Sequence, residues 1–321
     1  MINQGEVLSA VLNADGADGG KSGACMDRYN GVINVNKEAG MTSSDVVARL
    51  RRILKQKKIG HTGTLDPMAT GVLPICAGKA TRLSDYIMDK DKVYVAGLAL
   101  GARTDTQDAE GKVIFHSNHL IEREDILKAI PAFTGEIMQM PPMYSAIKID
   151  GKKLYEYARA GMEVTRKPRR VTVYKLELLE QTDKNKFILR VHCSKGTYVR
   201  TICADLGDAL GAGGYMYSLV RTRAGCYDIA NAFSLAQIAD MVENGDNSFL
   251  RPMDEPLSSL KRADIKPEFE KQFLNGVPLA PEMYISVDLA EGEKTRVYFK
   301  GVFSALSVMN QGRLKVLCLL R

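Results

Sequence analysis

The apolar positions near the start of the folded chain follow two different periods, and each period predicts a different element. Residues 31–37 (Gly-Val-Ile-Asn-Val-Asn-Lys) alternate between apolar and polar side chains, as a half-buried β-strand does. Thr42 then supplies N-cap chemistry, and Val46, Leu50 and Ile53 or Leu54 recur at helical spacing. The pattern therefore predicts a strand followed at once by a helix whose apolar face packs inward.

Strand and helix patterns continue to alternate further along the chain. Runs rich in β-branched and apolar residues predict strands at 92–100, 170–179 and 187–193. Helical spacing of apolar residues predicts helices at 123–133, 154–160 and 198–210. This interleaving indicates an α+β fold with a large mixed, mainly antiparallel sheet.

A change of composition after residue 250 predicts a domain boundary. Residues 251–256 (Arg-Pro-Met-Asp-Glu-Pro) are rich in proline and charge, as interdomain segments often are. Short β-rich runs follow at 284–289, 296–303, 305–309 and 314–319. We therefore expect one large domain over residues 31–250 and a small β-rich domain over residues 251–321.

Residues 1–30 stand apart from both domains. They contain a tract at 13–23 that is rich in glycine and aspartate, and residues 1–30 are predicted to be a disordered N-terminal extension. Its Gly20-Lys21-Ser22 imitates the end of a phosphate-binding P-loop, but the glycine required five positions earlier is Asp15. We therefore exclude nucleotide binding at this tract.

Charge adds a candidate partner to the picture. The 44 Lys and Arg exceed the 38 Asp and Glu by six, a modest excess that permits a polyanionic partner. Basic residues are concentrated at 49–58 and 166–170 without any acid, whereas solvated helix faces usually mix both signs. The residues that we expect to contact a nucleic-acid backbone are Arg49, Arg52, Lys55, Lys57, Lys58, Arg169 and Arg170.

Cysteine and histidine usage argues against two classes of site. The six cysteines form no Cys-x-x-Cys pair and only four histidines are present, so neither a zinc cluster nor a disulfide framework is expected. The chain has no run of about 18 apolar residues. It also lacks a basic N-terminal region followed by an apolar stretch. We expect a soluble cytoplasmic protein with no membrane partner and no metal.

The segment at 60–74 (Gly-His-Thr-Gly-Thr-Leu-Asp-Pro-Met-Ala-Thr-Gly-Val-Leu-Pro) presents a single carboxylate, Asp66. Its glycines permit a crowded backbone and Pro67 fixes the chain just after the acid. An Asp before Pro is also a common turn opener that only bonds its own backbone. On these residues alone, the turn interpretation is favoured.

The same segment closely resembles the nucleophile loop of TruB-type tRNA pseudouridine synthases, without a gap. Three more motifs follow in the family's order: Lys92-Val93-Tyr94, Gly196-Thr197-Tyr198-Val199-Arg200 and Leu219-Val220-Arg221. The resemblance implies that Asp66 is the catalytic nucleophile and that His61 lies against the RNA where the target base has turned out. It also implies a pseudouridine-synthase fold with a C-terminal PUA-like RNA-binding domain.

The substrate is likewise implied by the resemblance. The family modifies the uridine at position 55 in the T loop of tRNA, and the sequence after Thr62 is similar to the stand-alone bacterial enzymes. We therefore expect a monomer that binds the T arm without guide RNA or cofactor. One departure is Glu38 after Lys37, where relatives usually carry proline. The expected substrate contacts are His61, Leu219, Lys37, Thr64 and Tyr198.

Isomerisation of uridine sets chemical requirements that these residues can meet. The reaction is redox neutral and needs an ionised carboxylate, but burial against a base raises the pKa of an Asp. The matched position in the family makes Arg200 the cation that opposes this shift. Tyr94 can stack on the uracil and offer a phenol for proton transfer, while Leu219 forms an apolar wall. Asp66 could add to uracil C6 or assist cleavage to a glycal, and the sequence leaves both routes open.

Two other classes of function stay open from the residues alone. An RNA chaperone would need only the basic segments and the C-terminal domain, although the joint presence of Asp66, Tyr94 and Arg200 favours an enzyme. A sugar hydrolase would need a second carboxylate beside Asp66. Asp105 and Asp108 are available for that role, but they are interpreted as part of a polar loop.

Overall fold

The computed structural model describes residues 27–285 and 287–320. Residues 1–26, which make up most of the segment predicted to be disordered, therefore lie outside the described residues. The strands are β1 (Gly31–Lys37), β2 (Ile59–His61), β3 (Thr70–Ala77), β4 (Lys92–Leu100), β5 (Ala102–Thr104), β6 (Val113–His116), β7 (Gly135–Gln139), β8 (Lys148–Ile149), β9 (Lys152–Lys153), β10 (Arg169–Asp183), β11 (Lys186–Cys193), β12 (Gly214–Ala224), β13 (Tyr227–Asp228), β14 (Leu250–Arg251), β15 (Lys261–Ile265), β16 (Lys294–Phe299), β17 (Val302–Asn310) and β18 (Arg313–Leu319).

The α-helices are short and are spread between the strands. They are α1 (Ser43–Ile53), α2 (Ser84–Met88), α3 (Arg123–Ala129), α4 (Leu154–Arg159), α5 (Val199–Ala209), α6 (Leu235–Glu243) and α7 (Glu270–Leu274). In the described part of the chain, no helix is both long and apolar enough to cross a membrane.

The first sheet contains ten strands and carries most of the fold. Its order is β14-β1-β3-β12-β4-β11-β10-β7, with β13 added to β12 and β2 added to β3. Every neighbouring pair is antiparallel except β3 and β12, where Val220 lies beside Thr70 and Arg221 beside Gly71. The prediction of a large mixed, mainly antiparallel sheet is therefore confirmed.

The predicted elements of this part lie close to the observed ones. Helix α1 begins after Thr42, whose hydroxyl accepts the Asp45 N–H at 3.1 Å while the Asp45 carboxylate accepts the Thr42 N–H at 2.9 Å. The helix predicted at 123–133 is instead two pieces: α3 ends at Ala129 and a 3₁₀ turn covers Ile130–Phe133. Pro131 explains the change, because its ring nitrogen cannot continue the α-helical bonding pattern.

A second sheet of four strands, in the order β15-β16-β17-β18, forms the C-terminal part of the chain and confirms the β-rich prediction. Two details of that prediction are wrong. The run at 296–303 is broken by a turn at Lys300 and Gly301, which both have positive φ, so β16 ends before β17 begins. The run at 284–289 contributes an isolated bridge from Tyr284 to Ile265, and its described residues form no strand.

The described residues form three apolar clusters. The largest joins the first sheet to α1, α5 and α6. A smaller cluster packs the second sheet against neighbouring residues such as Phe273 of α7. The third contains residues of both sheets, such as Val72 and Cys76 from one side and Phe303 and Leu306 from the other. The two sheets therefore share buried apolar surface.

Candidate active site

Asp66 lies in the loop between β2 and β3, and buried polar groups hold that loop from several sides. The Ser43 hydroxyl, in the first turn of α1, accepts the Leu65 N–H at 2.9 Å and donates to the Leu65 carbonyl at 3.1 Å. The Pro67 carbonyl accepts the Gly40 N–H at 2.9 Å. The carboxylate of Asp66 is thus carried on a backbone that is fixed on both sides of it.

Lys37 lies under this loop with its side chain fully buried. Its ammonium donates to the carbonyls of Met41 at 2.6 Å, Glu38 at 2.8 Å and Pro67 at 3.1 Å. Burial lowers the pKa of Lys37, and the negative charge of Asp66 opposes that shift. Lys37, which was expected to contact the substrate, therefore binds main-chain carbonyls next to Asp66.

Arg221 holds the same loop from strand β12. Its guanidinium donates to the carbonyls of Val72 at 2.6 Å and Gly63 at 3.3 Å, and it is 2% exposed. On the neighbouring strand β4, Tyr94 is its register partner. Sequence reasoning noticed Arg221 only as part of a motif and assigned it no role. The available signal was its place in the Leu219-Val220-Arg221 motif.

Arg200 approaches Asp66 from the second position of helix α5. Its guanidinium lies 3.6 Å from the Asp66 carboxylate, 3.0 Å from the Asp108 carboxylate and 2.5 Å from the Tyr144 carbonyl. Arg200 is 5% exposed, whereas the side chain of Asp66 is 33% exposed. The cation is therefore buried behind a carboxylate that still faces the solvent.

Asp108 lies in the polar loop between β5 and β6, as predicted, but its side chain is buried there. Asp108 is 3% exposed, and its carboxylate accepts the Thr106 hydroxyl at 2.6 Å in addition to Arg200. It does not revive the hydrolase alternative, because a carboxylate buried against Arg200 has no surface left to offer a sugar. Its sequence signal is weak, because an Asp among Thr and Gln residues looks like an ordinary turn.

The charge state of Asp66 depends on these neighbours. Burial raises the pKa of the Asp66 carboxyl above its usual range, and the negative charge of Asp108 adds to the increase. The positive charges of Arg200 and Lys37 oppose it. Burial is the largest influence on this pKa, and Arg200 is the largest of the influences that oppose it.

Tyr94, Leu219 and His61 lie on strands of the sheet that carries the acid loop: Tyr94 on β4, Leu219 on β12 and His61 at the end of β2. Tyr94 and Leu219 are buried on adjacent strands, in the same apolar cluster as Leu65 of the acid loop. Burial raises the pKa of the Tyr94 phenol, although Arg221 opposes it, so the phenol is protonated at neutral pH. Burial and the charge of Arg221 lower the pKa of His61, which keeps its imidazole neutral.

The remaining expected contacts are more peripheral. Thr64 is exposed, and its carbonyl lies 3.5 Å from the Arg221 guanidinium. Tyr198 is half-buried and precedes α5 as its N-cap. The expected RNA-backbone residues are all exposed and lie outside this cluster: Arg49 and Arg52 on α1, Lys55, Lys57 and Lys58 after it, and Arg169 and Arg170 at the start of β10. Within the described ranges, no three His, Cys, Asp or Glu side chains are grouped as metal ligands.

Family models cover most of the region that builds this site. Residues 51–199 match the model described as TruB family pseudouridylate synthase (N terminal domain). Residues 200–260 match the model described as tRNA pseudouridylate synthase B C-terminal domain. Fold, site and family models together define a pseudouridine synthase.

Full-length relatives specify the family further. A tRNA pseudouridine synthase B of Alkaliphilus oremlandii is 43% identical over 297 residues, which cover 91% of this chain and 98% of the relative. One from Clostridium kluyveri is 41% identical over 274 residues, covering 85% and 92% of the two chains. The chain therefore belongs to the TruB family of pseudouridine synthases, and the predicted family membership is confirmed.

Solved structures with the same fold are more distant in sequence. A chain of the crystal structure of a Cbf5-Nop10-Gar1 complex superimposes with a TM-score of 0.71 at 28% identity, covering 91% of this chain and 85% of that chain. A chain of an H/ACA RNP bound to a substrate RNA containing 2'-deoxyuridine gives a TM-score of 0.68 at 25% identity, with 91% and 85% coverage.

Proposed function

We propose that this protein isomerises the uridine at position 55 in the T loop of tRNA to pseudouridine, with Asp66 as the nucleophile. One observation carries the proposal: Asp66 is a partly exposed carboxylate that lies 3.6 Å from a buried guanidinium in a chain of the pseudouridine synthase class. Its relatives that are named tRNA pseudouridine synthase B support tRNA as the substrate.

The reaction breaks the bond between uracil N1 and the ribose, turns the base, and joins C5 to the same ribose carbon. A proton leaves C5 and a proton is gained at N1, so atoms and electrons balance without an external oxidant. Asp66 acts in its ionised form, either by adding to uracil C6 or by assisting cleavage to a glycal-like intermediate. Both routes require the charge of Arg200 to keep the carboxylate ionised against burial.

Neighbouring residues receive the extruded base. Tyr94 offers a ring for stacking and a protonated phenol that donates a hydrogen bond or a proton. Leu219 supplies an apolar wall, and neutral His61 fills space near the position that the base has left. Lys37 and Arg221 hold the main chain on which Asp66 is carried.

Exposed basic residues bind the T arm outside this pocket. Lys55, Lys57 and Lys58 continue from the C-terminal end of α1, and Arg169 and Arg170 lie on β10. These side chains contribute affinity through phosphates and do not select the base. We further propose a PUA-like role for the C-terminal sheet, and a cytoplasmic monomer that acts without guide RNA. The near-complete coverage of the tRNA pseudouridine synthase B relatives supports the stand-alone form.

The decisive experiment compares wild type with Asp66→Asn on an unmodified tRNA transcript, with pseudouridine mapped by position. Asn keeps nearly the same shape but cannot act as a nucleophile, so isomerisation should disappear while tRNA binding stays within about tenfold. Turnover by Asp66→Asn at a tenth of the wild-type rate would remove Asp66 from this role. Pseudouridine at a different position would refute the T-loop assignment.

A second activity, assistance of tRNA folding without chemistry, is favoured by the separation of the basic residues from Asp66. The Asp66→Asn protein tests it directly, because that variant keeps every basic side chain. It should increase the folded fraction of a misfolded transcript as well as wild type does. A variant without this effect would restrict the protein to isomerisation.

A further inference from the structure

Gln139, the last residue of β7, makes two hydrogen bonds to a single residue, and the proposed reaction assigns no role to them. Its side-chain carbonyl accepts the Tyr198 N–H at 2.8 Å, and its side-chain amide donates to the Tyr198 carbonyl at 3.0 Å. Gln139 is 2% exposed. A buried side-chain amide thus pairs with both polar groups of one residue, as a neighbouring strand would.

Tyr198 is the residue on which the direction of helix α5 depends. It is the N-cap of that helix, and its own side chain makes no capping hydrogen bond. Its carbonyl also accepts the N–H groups of Thr201 and Ile202, which close the first helical turn around Arg200. The main-chain position fixed by Gln139 is therefore the start of the turn that carries Arg200.

Gln139 also lies next to the segment that supplies another contact of Arg200. The chain leaves β7 at Gln139 and, five residues later, presents the Tyr144 carbonyl to the Arg200 guanidinium at 2.5 Å. Gln139 thus holds the main chain at the start of the turn that carries Arg200. It also begins the segment that presents the Tyr144 carbonyl, an acceptor of Arg200. A displacement at Gln139 would move the cation and that acceptor together.

The Arg200 contact with Asp66 is the one most sensitive to such a displacement. At 3.6 Å it is the longest of the three contacts, while the contacts with Asp108 and Tyr144 are within hydrogen-bonding distance. We propose that Gln139 is a positioning residue, which sets the place of the Arg200 guanidinium relative to Asp66. This inference rests on the proposed role of Asp66 as nucleophile.

The chain contains a matched control for this contact. Gln56 accepts the Tyr29 N–H at 2.8 Å and donates to the Tyr29 carbonyl at 2.9 Å, and it is 5% exposed. This pair has the same chemistry and similar burial, but it joins the end of α1 to the residues before β1. Gln56→Met should therefore reproduce the structural loss of Gln139→Met without disturbing Arg200. Because Gln56 lies among the lysines proposed to bind phosphates, the two rates are compared at saturating enzyme, where weaker tRNA binding does not lower them.

The test measures melting temperature and single-turnover rate against pH for wild type, Gln139→Met and Gln56→Met, with excess enzyme over tRNA. Both variants should melt a few degrees lower, because each loses both hydrogen bonds of a buried side-chain amide and leaves a main-chain N–H unpaired. Only Gln139→Met should lose about tenfold or more in rate at neutral pH. The acid limb of its pH–rate profile, where the rate falls with decreasing pH, should also shift to higher pH by about half a pH unit or more. A displaced Arg200 no longer lowers the pKa of Asp66.

Two further variants make every outcome decisive. In a protein that already carries Arg200→Lys, Gln139→Met should not shift the acid limb any further. The reason is that Gln139 affects the pKa of Asp66 only by positioning the Arg200 guanidinium. Gln139→Asn, with the same amide one methylene shorter, replaces Gln139→Met if the latter is insoluble and should change the rate in the same direction. Equal profiles for the Gln139 and Gln56 variants, or a full shift in the Arg200→Lys background, would overturn the inference. Activity of Asp66→Asn would instead overturn the proposed nucleophile.

Discussion

At the scale of single residues, the Arg200 guanidinium is shared among two carboxylates and one carbonyl, and this sharing controls the charge of Asp66. Arg200 opposes the increase that burial causes in the pKa of Asp66. A lysine has one compact ammonium in place of the planar guanidinium and cannot serve all these acceptors. Arg200→Lys should therefore raise the pKa of Asp66 further.

The sign of the resulting pH dependence follows from the proposed mechanism, in which only the ionised Asp66 carboxylate reacts. Activity is lost as pH falls through the pKa of Asp66, so Arg200→Lys should shift the acid limb of the single-turnover rate to higher pH. Part of the lost rate should return as pH rises above the increased pKa of Asp66, where the carboxyl is again ionised. An acid limb that stays in place would show that Arg200 does not set this ionisation.

The core of the candidate site could be predicted from the sequence, but its supporting residues could not. Asp66 and Arg200 were expected to meet, and the structure brings them to 3.6 Å. Asp108 was missed because its burial depends on a helix 92 residues later in the chain. A local pattern reports side-chain chemistry and spacing, whereas burial depends on what packs against the segment.

At the scale of elements, the acid loop is held where β3 passes very close to β12. Gly71 has φ of +100°, and a Cβ placed there would lie 2.3 Å from the Arg221 carbonyl oxygen. Gly71→Ala should destabilise the fold by about 2 kcal/mol or more and should slow isomerisation, because the strands must separate. Urea unfolding and single-turnover rates would measure both effects.

Gly245→Ala is the control for backbone strain alone. Gly245 also has positive φ, +72°, but nothing lies within 4 Å of a Cβ at that position. It should cost about 1 kcal/mol and leave the rate unchanged. Similar behaviour of the two variants would mean that the close approach of β3 to β12 does not shape the acid loop.

The basic end of α1 is a second element with a measurable contribution. Changing Lys55, Lys57 and Lys58 together to glutamine should weaken tRNA binding and flatten its salt dependence. Removing one lysine–phosphate interaction should reduce the logarithmic slope by roughly 0.7 to 0.9. The position of modification should not change, because phosphate contacts do not read the base.

Three lysines elsewhere provide the matched control for charge. Lys175, Lys184 and Lys186 lie on β10, in the turn that follows it and on β11, and their replacement by glutamine removes the same charge. This control should leave the slope nearly unaltered. If both triple variants change binding equally, the effect is one of net charge and the RNA contacts must be sought elsewhere.

Strands β3 and β12 show where the sequence did not suffice for the fold. Strand β3 is buried along almost its whole length and contains Pro74, so it has neither the alternation nor the composition of a typical strand. Strand β12 carries Arg221 and Arg223 and thus lacks a simple apolar pattern. Strands β1 and β4 were predictable from their sequences, which alternate or are rich in apolar and β-branched residues, although β1 is buried on both faces as well.

At the scale of the whole molecule, the two sheets share one buried cluster and should unfold together. Leu306 of β17 is fully buried in that cluster, against residues of both sheets. Leu306→Ala should reduce the free energy of unfolding by about 2 to 5 kcal/mol in a single transition. Val302→Ala, at an exposed position of the same strand, should change it by less than about 0.5 kcal/mol. Two separate transitions, only one of them shifted, would show that the sheets are independent.

The parallel pairing of β3 with β12 has a consequence for the time at which this site can form during synthesis. The loop that carries Asp66 takes its shape from Arg221, a residue about 150 positions further along the chain. At translation rates of roughly 5 to 20 residues per second, the ribosome adds Arg221 about 8 to 30 s after the loop. Throughout that interval the nascent chain carries the acid without its supporting guanidinium, so catalytic competence is acquired only after more than two thirds of the chain has been made.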